Sequence, residues 1–170
     1  MDMDESVRQI FISYSRKDEK WQDMIEDFFA PLVRQRVVRI WHDKLINTGG
    51  RFEEQIFREL EASHLAILLV SPAFLASDFI STKELPKILE RWQRGELLIA
   101  PILLSDCLWR YTDLANVQFA HDVSIPLLYL TEKDLNHELA KIVGGIINLL
   151  GVSRPKFQVS PPTSSSRPTS

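Results

Sequence analysis

The chain has a single cysteine, Cys107, in 170 residues. That excludes an internal disulfide and the stapled secreted scaffolds, so the chain reads as intracellular and the expected location is cytoplasmic. The first residues, Met-Asp-Met-Asp-Glu, are acidic and lead into no apolar run, so an ordinary signal peptide is not expected. No apolar stretch approaches the roughly 18 residues that a transmembrane helix requires, and no membrane partner is expected. Positive charge is not in excess either. Lys and Arg number 20 against 23 Asp and Glu, a net charge of −3, which gives no field for nucleic acid. Neither a GxGxxG nor a Walker A motif is present, so Gly49-Gly50 is no phosphate-binding signature. His42, His64, His121 and His137 are scattered singly and make no metal site with Cys107. No Ser-His-Asp arrangement can be argued, and no internal repeat is found.

What remains is an ordinary globular composition, 45% apolar and 25% charged, in a length that suits one domain with a proper core. The pattern alternates. Arg8 to Ser13 reads as a short buried strand, followed by a polar loop, Tyr14-Ser15-Arg16-Lys17, and by Asp18 as N-cap of a helix. That helix carries Trp21, Ile25, Phe28, Phe29 and Leu32 on one stripe, read as core. Val37 to Trp41 is a second strand. His42 to Gly50 is a loop ending in a glycine pair, and a helix spans about Arg51 to Ala62. Leu65 to Val70 is continuously apolar, as in a strand covered on both faces. Another helix continues to about Arg94, with Gly95 as a stop. Leu97 to Leu104 is a fourth strand, with Pro101 as an anomaly inside it. After an irregular stretch with one short helix around Arg110 to Asn116, Val123 to Leu127 reads as a fifth, edge strand. The last helix starts near Asp134 and ends at Gly151. Residues 1–6 are expected to be a flexible start and 7–151 the domain. Residues 152–170, rich in Pro, Ser and Thr, are expected to be a disordered tail, or a linker to further domains beyond Ser170.

Strands alternating with helices imply an α/β class with a parallel sheet. Five strands with crossover helices suit a flavodoxin-like sheet of order 2-1-3-4-5, with helices on both faces. Its ligand crevice lies where the chain reverses between strands 1 and 3. The loops after Ser13 and Ser71 meet there, and the second leads to Glu84. Leu85, Ile88, Leu89 and Trp92 share one helix face, and Glu84 projects roughly 90° from its centre, where buried surface meets solvent. A carboxylate there can be partly desolvated. Equally, Ser81-x-x-Glu84 is a capping-box pattern, although Pro86 would then fall in the second turn, where its missing N–H costs a hydrogen bond.

Ile10 to Asp18 (Ile-Phe-Ile-Ser-Tyr-Ser-Arg-Lys-Asp), Trp41 to Gly49, Ala66 to Ser77 and the pair Glu84-Leu85 resemble the successive boxes of a TIR domain in its bacterial form, over about residues 7 to 150. The resemblance implies the five-stranded flavodoxin-like fold and two functions. TIR domains self-associate and recruit one another, and many cleave NAD+ at the nicotinamide–ribose bond. Glu84 matches the family's catalytic glutamate. Plant-type members place an aromatic four residues before that glutamate, whereas here Phe79 stands five before it.

On this resemblance NAD+ is substrate rather than cofactor. Ser13, Tyr14, Ser15 and Arg16 would hold ribose and phosphate, or form only a polar turn. Trp41 would stack a base with Asp43 on a polar edge, or be a core tryptophan beside a solvated loop. Ser71, Ser77 and Phe79 are further substrate-binding candidates, the serines having the alternative of ending a strand and capping a helix. Lys44, Leu45, Ile46, Asn47, Gly49 and Gly50 are candidates for an assembly loop that completes a neighbour's site. The expectation is an NAD+ nucleosidase that yields ADP-ribose or a cyclic isomer. It would be activated by self-assembly and would serve bacterial anti-phage immunity. The alternative is a non-catalytic adaptor working through TIR–TIR contacts.

Overall fold

The computed structural model describes residues 7–43 and 52–152. Its four strands are β1 (Arg8–Ser13), β2 (Val38–Trp41), β3 (Leu65–Val70) and β4 (Leu98–Leu103). They form one sheet of order β2-β1-β3-β4, and every pair is parallel. The helices are α1 (Glu19–Arg34), α2 (Phe52–Glu61), α3 (Pro72–Ala76), α4 (Leu85–Gln93) and α5 (Glu132–Leu149). No helix among the described residues is long and apolar enough to cross a membrane.

The period-2 alternation of the strands divides the core. Ile10, Ile12, Ile67 and Leu69 pack with Ile25 and Phe29 of α1 and with Leu139, Ile142 and Ile146 of α5. Phe11, Leu68 and Val70 face the other way, against Ile56 and Leu60 of α2 and Leu85 and Ile88 of α4. Both faces are therefore covered, and all six residues of β3 are buried. Ser13, two residues beyond Phe11, is carried by the same parity to the α2/α4 face.

The sheet departs from the expected five strands. Residues 123–126 are a turn and irregular chain that lead into a 3-10 turn, Leu127–Tyr129. Part of the outer edge of β4 is engaged by other groups instead. Leu98 and Leu104 direct their N–H groups to the β3 side, so Pro101 and Leu103 point away from it. Pro101 has no N–H to leave unpaired. Its carbonyl accepts from the Ala120 N–H, and the Leu104 carbonyl accepts from the Leu128 N–H. The Leu103 N–H donates to Nε2 of His121 at 2.8 Å. With those groups engaged, the continuous ladder a fifth strand needs is interrupted at Pro101 and Leu103. Pro101, an anomaly in the sequence, is thus at home on an edge.

Other local readings are also corrected. The short helix read at Arg110 to Asn116 is a pair of 3-10 turns, Trp109–Tyr111 and Asp113–Asn116. α5 begins two residues before Asp134 and is capped by Thr131, whose hydroxyl accepts from the Asp134 N–H. Asp18 stands at the start of α1, but its side chain does not cap the helix. Its carboxylate accepts from the Ser71 hydroxyl, which draws the β1–α1 turn onto the end of β3.

Candidate active site

Glu84 reaches the site through an unusual piece of helix. Ser71 ends β3 and caps α3, its hydroxyl accepting from the Phe74 N–H at 3.0 Å. Ser77 then accepts from the Ile80 N–H at 3.3 Å and starts the next helix. From Ile80 to Glu84 the backbone widens to a π-turn, in which the Leu85 N–H bonds back to the Ile80 carbonyl, five residues away. Only then does α4 proper begin, with Pro86 in its first turn. The Ser81…Glu84 capping box is not formed. The Ser81 hydroxyl donates to the Leu75 carbonyl, and Glu84 turns inward.

Glu84 is 6% exposed, far more buried than its helical position suggested, and its Oε1 accepts a hydrogen bond from the Ser13 hydroxyl. Burial raises its pKa to about 7. The Ser13 hydrogen bond works against that rise, and the negative charge of Asp43 adds to it. Glu84 is therefore poised to change charge near neutrality, which an ordinary surface glutamate is not.

The carboxylate lies on a cavity of about 320 Å³ at the carboxyl ends of the strands, where β1 and β3 diverge. Tyr14, Ser15, Arg16 and Lys17 from the loop after β1 line it, with Trp41 and Asp43 from the end of β2. Phe11 and Ile12 of β1, with Phe52, Ser77, Phe79 and Ile80, complete the described wall together with Glu84. Trp41 stacks on Phe11 with ring centroids 5.1 Å apart, so it is at once core and cavity wall. Phe79 packs against Phe52 at 5.6 Å and lies parallel to Phe57. The Tyr14 hydroxyl is buried and faces Asp43. Burial, followed by the charge of Asp43, holds its phenol well above the usual range, so it stays a neutral donor. Ser15 uses its hydroxyl to accept from the Lys17 N–H at 3.3 Å.

Of the residues singled out from the sequence, Tyr14, Ser15, Arg16, Trp41, Asp43, Ser77, Phe79 and Glu84 thus meet at one cavity. Ser13 is engaged with Glu84 beneath it. Ser71 does not join them, because its hydroxyl is committed to Asp18 and to the cap of α3. Lys44, Leu45, Ile46, Asn47, Gly49 and Gly50 lie outside the described residues, but Asp43 and Phe52, on either side of that stretch, both line the cavity. Phe11, Ile12, Lys17, Phe52 and Ile80 were missed. Lys17 was legible as the second cation of the loop holding Arg16, whereas Phe52 read only as part of a helix stripe.

The arrangement presents both signs of charge, with Glu84 and Asp43 against Arg16 and Lys17, between aromatic walls. It suits a ligand that carries a cationic ring and an anionic group together. A family model described as TIR domain matches residues 10–136. A protein of Sinorhizobium fredii (strain NBRC 101917 / NGR234), described as uncharacterized protein y4lF, is 35% identical over 102 residues, which is 60% of this chain and 32% of that protein. The match thus spans about a third of that relative's length. Among solved structures, the TIR domains of the activated Roq1 resistosome directly recognizing the pathogen effector XopQ align at 18% identity with a TM-score of 0.45, over 86% of this chain and 85% of that one.

Proposed function

Because this chain belongs to the TIR domain family, we propose that it cleaves NAD+ at the nicotinamide–ribose bond, with Glu84 as the catalytic carboxylate. The observation that carries the proposal is the buried Glu84, anchored by Ser13 on a cavity that pairs carboxylates with cations. NAD+ has the matching polarity, a pyridinium at one end and a diphosphate in the middle. In the reaction the C1′–N1 bond breaks and its electron pair passes to the ring nitrogen, so nicotinamide leaves neutral and needs no general acid. The ribose develops oxocarbenium-like charge, which an adjacent carboxylate stabilises. Glu84 fills that role once ionised. Arg16 and Lys17 hold the diphosphate, Trp41 and Phe79 sandwich the ring, and Tyr14 and Asp43 meet its ribose or carboxamide. Attack by water gives ADP-ribose and a proton, and internal attack gives a cyclic isomer. Self-assembly switches the site on, through the stretch from Lys44 to Gly50, in a bacterial defence role.

The test is NAD+ consumption by the purified chain at high concentration with a crowding agent, beside Glu84→Ala, with products followed by chromatography. We expect turnover in the parent, rising with pH through about 7 as Glu84 ionises, and at least a hundredfold less in the variant. Turnover that survives the substitution removes Glu84 from the mechanism. Silence from a chain shown to have assembled favours an adaptor that works only through TIR–TIR contacts.

A further inference from the structure

We infer that Pro86 is a positioning residue of this site: it keeps the turn before it wide, and the wide turn is what lays Glu84 on the Ser13 hydroxyl. The inference deepens the reading of Glu84 as the catalytic group and rests on it for its functional meaning.

The helix that follows Ser77 begins in ordinary α geometry, with the Ser81 N–H bonded to the Ser77 carbonyl at 2.9 Å. Continued in that pattern, residue 86 would donate its N–H to the carbonyl of Thr82. Proline has no N–H to give, and its ring presses on the carbonyl four residues back. Admitting one extra residue into the turn moves that carbonyl aside, and the π-turn from Ile80 to Glu84 sits immediately before Pro86. Hydroxyls of the same segment take up nearby carbonyls, Thr82 donating to Asp78 at 2.6 Å and Ser81 to Leu75 at 3.0 Å.

The extra residue changes which side chains face the core. At about 100° per residue, an unbroken α-helix would put Ile80 roughly 130° from the centre of the Leu85, Ile88 and Leu89 face, toward solvent. It would leave Glu84 at the edge. Instead Ile80 is buried in the same cluster as those three. Glu84 is thus flanked by apolar side chains on both neighbouring turns and shares their burial. The polar and charged groups around it are Ser13 from β1, Asp43 after β2, and Tyr14, Arg16 and Lys17 on the cavity wall.

Pro86→Ala restores the donor and removes the ring. The expected variant closes to a continuous α-helix and melts at a higher temperature, while kcat/KM for NAD+ falls at least tenfold, mainly in kcat. Glu84 is followed separately by 13C NMR of its carboxyl carbon, which needs no turnover. In Pro86→Ala its midpoint drops toward the ordinary carboxylate range as the side chain moves to the helix edge. In Ser13→Ala, which removes the donor but leaves Glu84 buried, the midpoint rises instead. Opposite shifts in the two variants support the positioning role even if the parent proves not to cleave NAD+, an outcome that would sink only the catalytic reading. An unchanged Glu84 midpoint in Pro86→Ala overturns the inference, whether or not stability changes.

Discussion

Glu84 is held in the fold at a cost that depends on pH. Its folded pKa of about 7 lies above the ordinary value of 4.5, so between those values the folded state binds more protons than the unfolded one. Stability contributed by neutral Glu84 is fully present below pH 4.5 and is lost as pH rises through 7. The shift corresponds to roughly 3 kcal/mol at its limit, allowing about 1.4 kcal/mol per unit. Glu84→Gln removes the charge but keeps the volume and an acceptor for Ser13. The expected result is a variant without turnover that melts several degrees above the parent at pH 8 and nearly with it at pH 5, by calorimetry. Equal melting temperatures across that range would mean that Glu84 is better solvated than its 6% exposure implies.

At the scale of elements, the outer edge of β4 makes a similar demand on His121. The Leu103 N–H donates to Nε2, so the proton of the neutral ring sits on Nδ1 and is donated to the Asp122 carbonyl at 3.0 Å. Burial holds the His121 pKa below 6.5, with Asp122 and Glu138 opposing. A lowered histidine pKa means that the folded state binds fewer protons, so this contribution is present above pH 6.5 and fades as pH falls below it. His121→Ala leaves the Leu103 N–H without its acceptor. It should cost about 1–3 kcal/mol in denaturant unfolding at pH 7.5 and less at pH 5, where holding the His121 ring neutral in the fold costs the parent stability. A constant difference across that range would argue for lost packing alone. This edge also shows where the sequence stops being readable. Periodicity located four strands and the long helices to within a residue or two, because a sheet covered on both faces leaves unbroken apolar runs. Val123 to Leu127 has a strand-like composition too, but whether it pairs depends on what already occupies β4, and His121 and Ala120 do so from outside the segment. The π-turn was equally hidden. Pro86 signalled a break in helix geometry, yet the direction in which Glu84 would turn depends on Ser13, 71 residues earlier in the chain.

At the scale of the whole molecule, the candidate site is assembled from three loops on one end of a parallel sheet. That is why topology could point to Glu84 and to the turn after Ser13 before any side chain was placed. It could not say whether one copy of the chain suffices. Asp43 and Phe52, which flank residues 44–51 in the sequence, both line the cavity. A substitution in that stretch could therefore silence the site from within its own chain or from a neighbour's. The assembly proposal requires the neighbour, and mixing two inactive variants separates the cases. One variant carries Glu84→Ala with an intact loop; the other carries Lys44→Glu and Asn47→Asp with an intact Glu84. In a head-to-tail array each working site needs Glu84 from one copy and the loop from the next, so an equal mixture should regain about a quarter of the parent's NAD+ turnover. Both variants should keep the parent's circular dichroism and elution position when dilute, so that the silence of each alone cannot be misfolding. A mixture as silent as its components would place the loop's action within its own chain, and assembly would then have to act on the site by some route other than completing it.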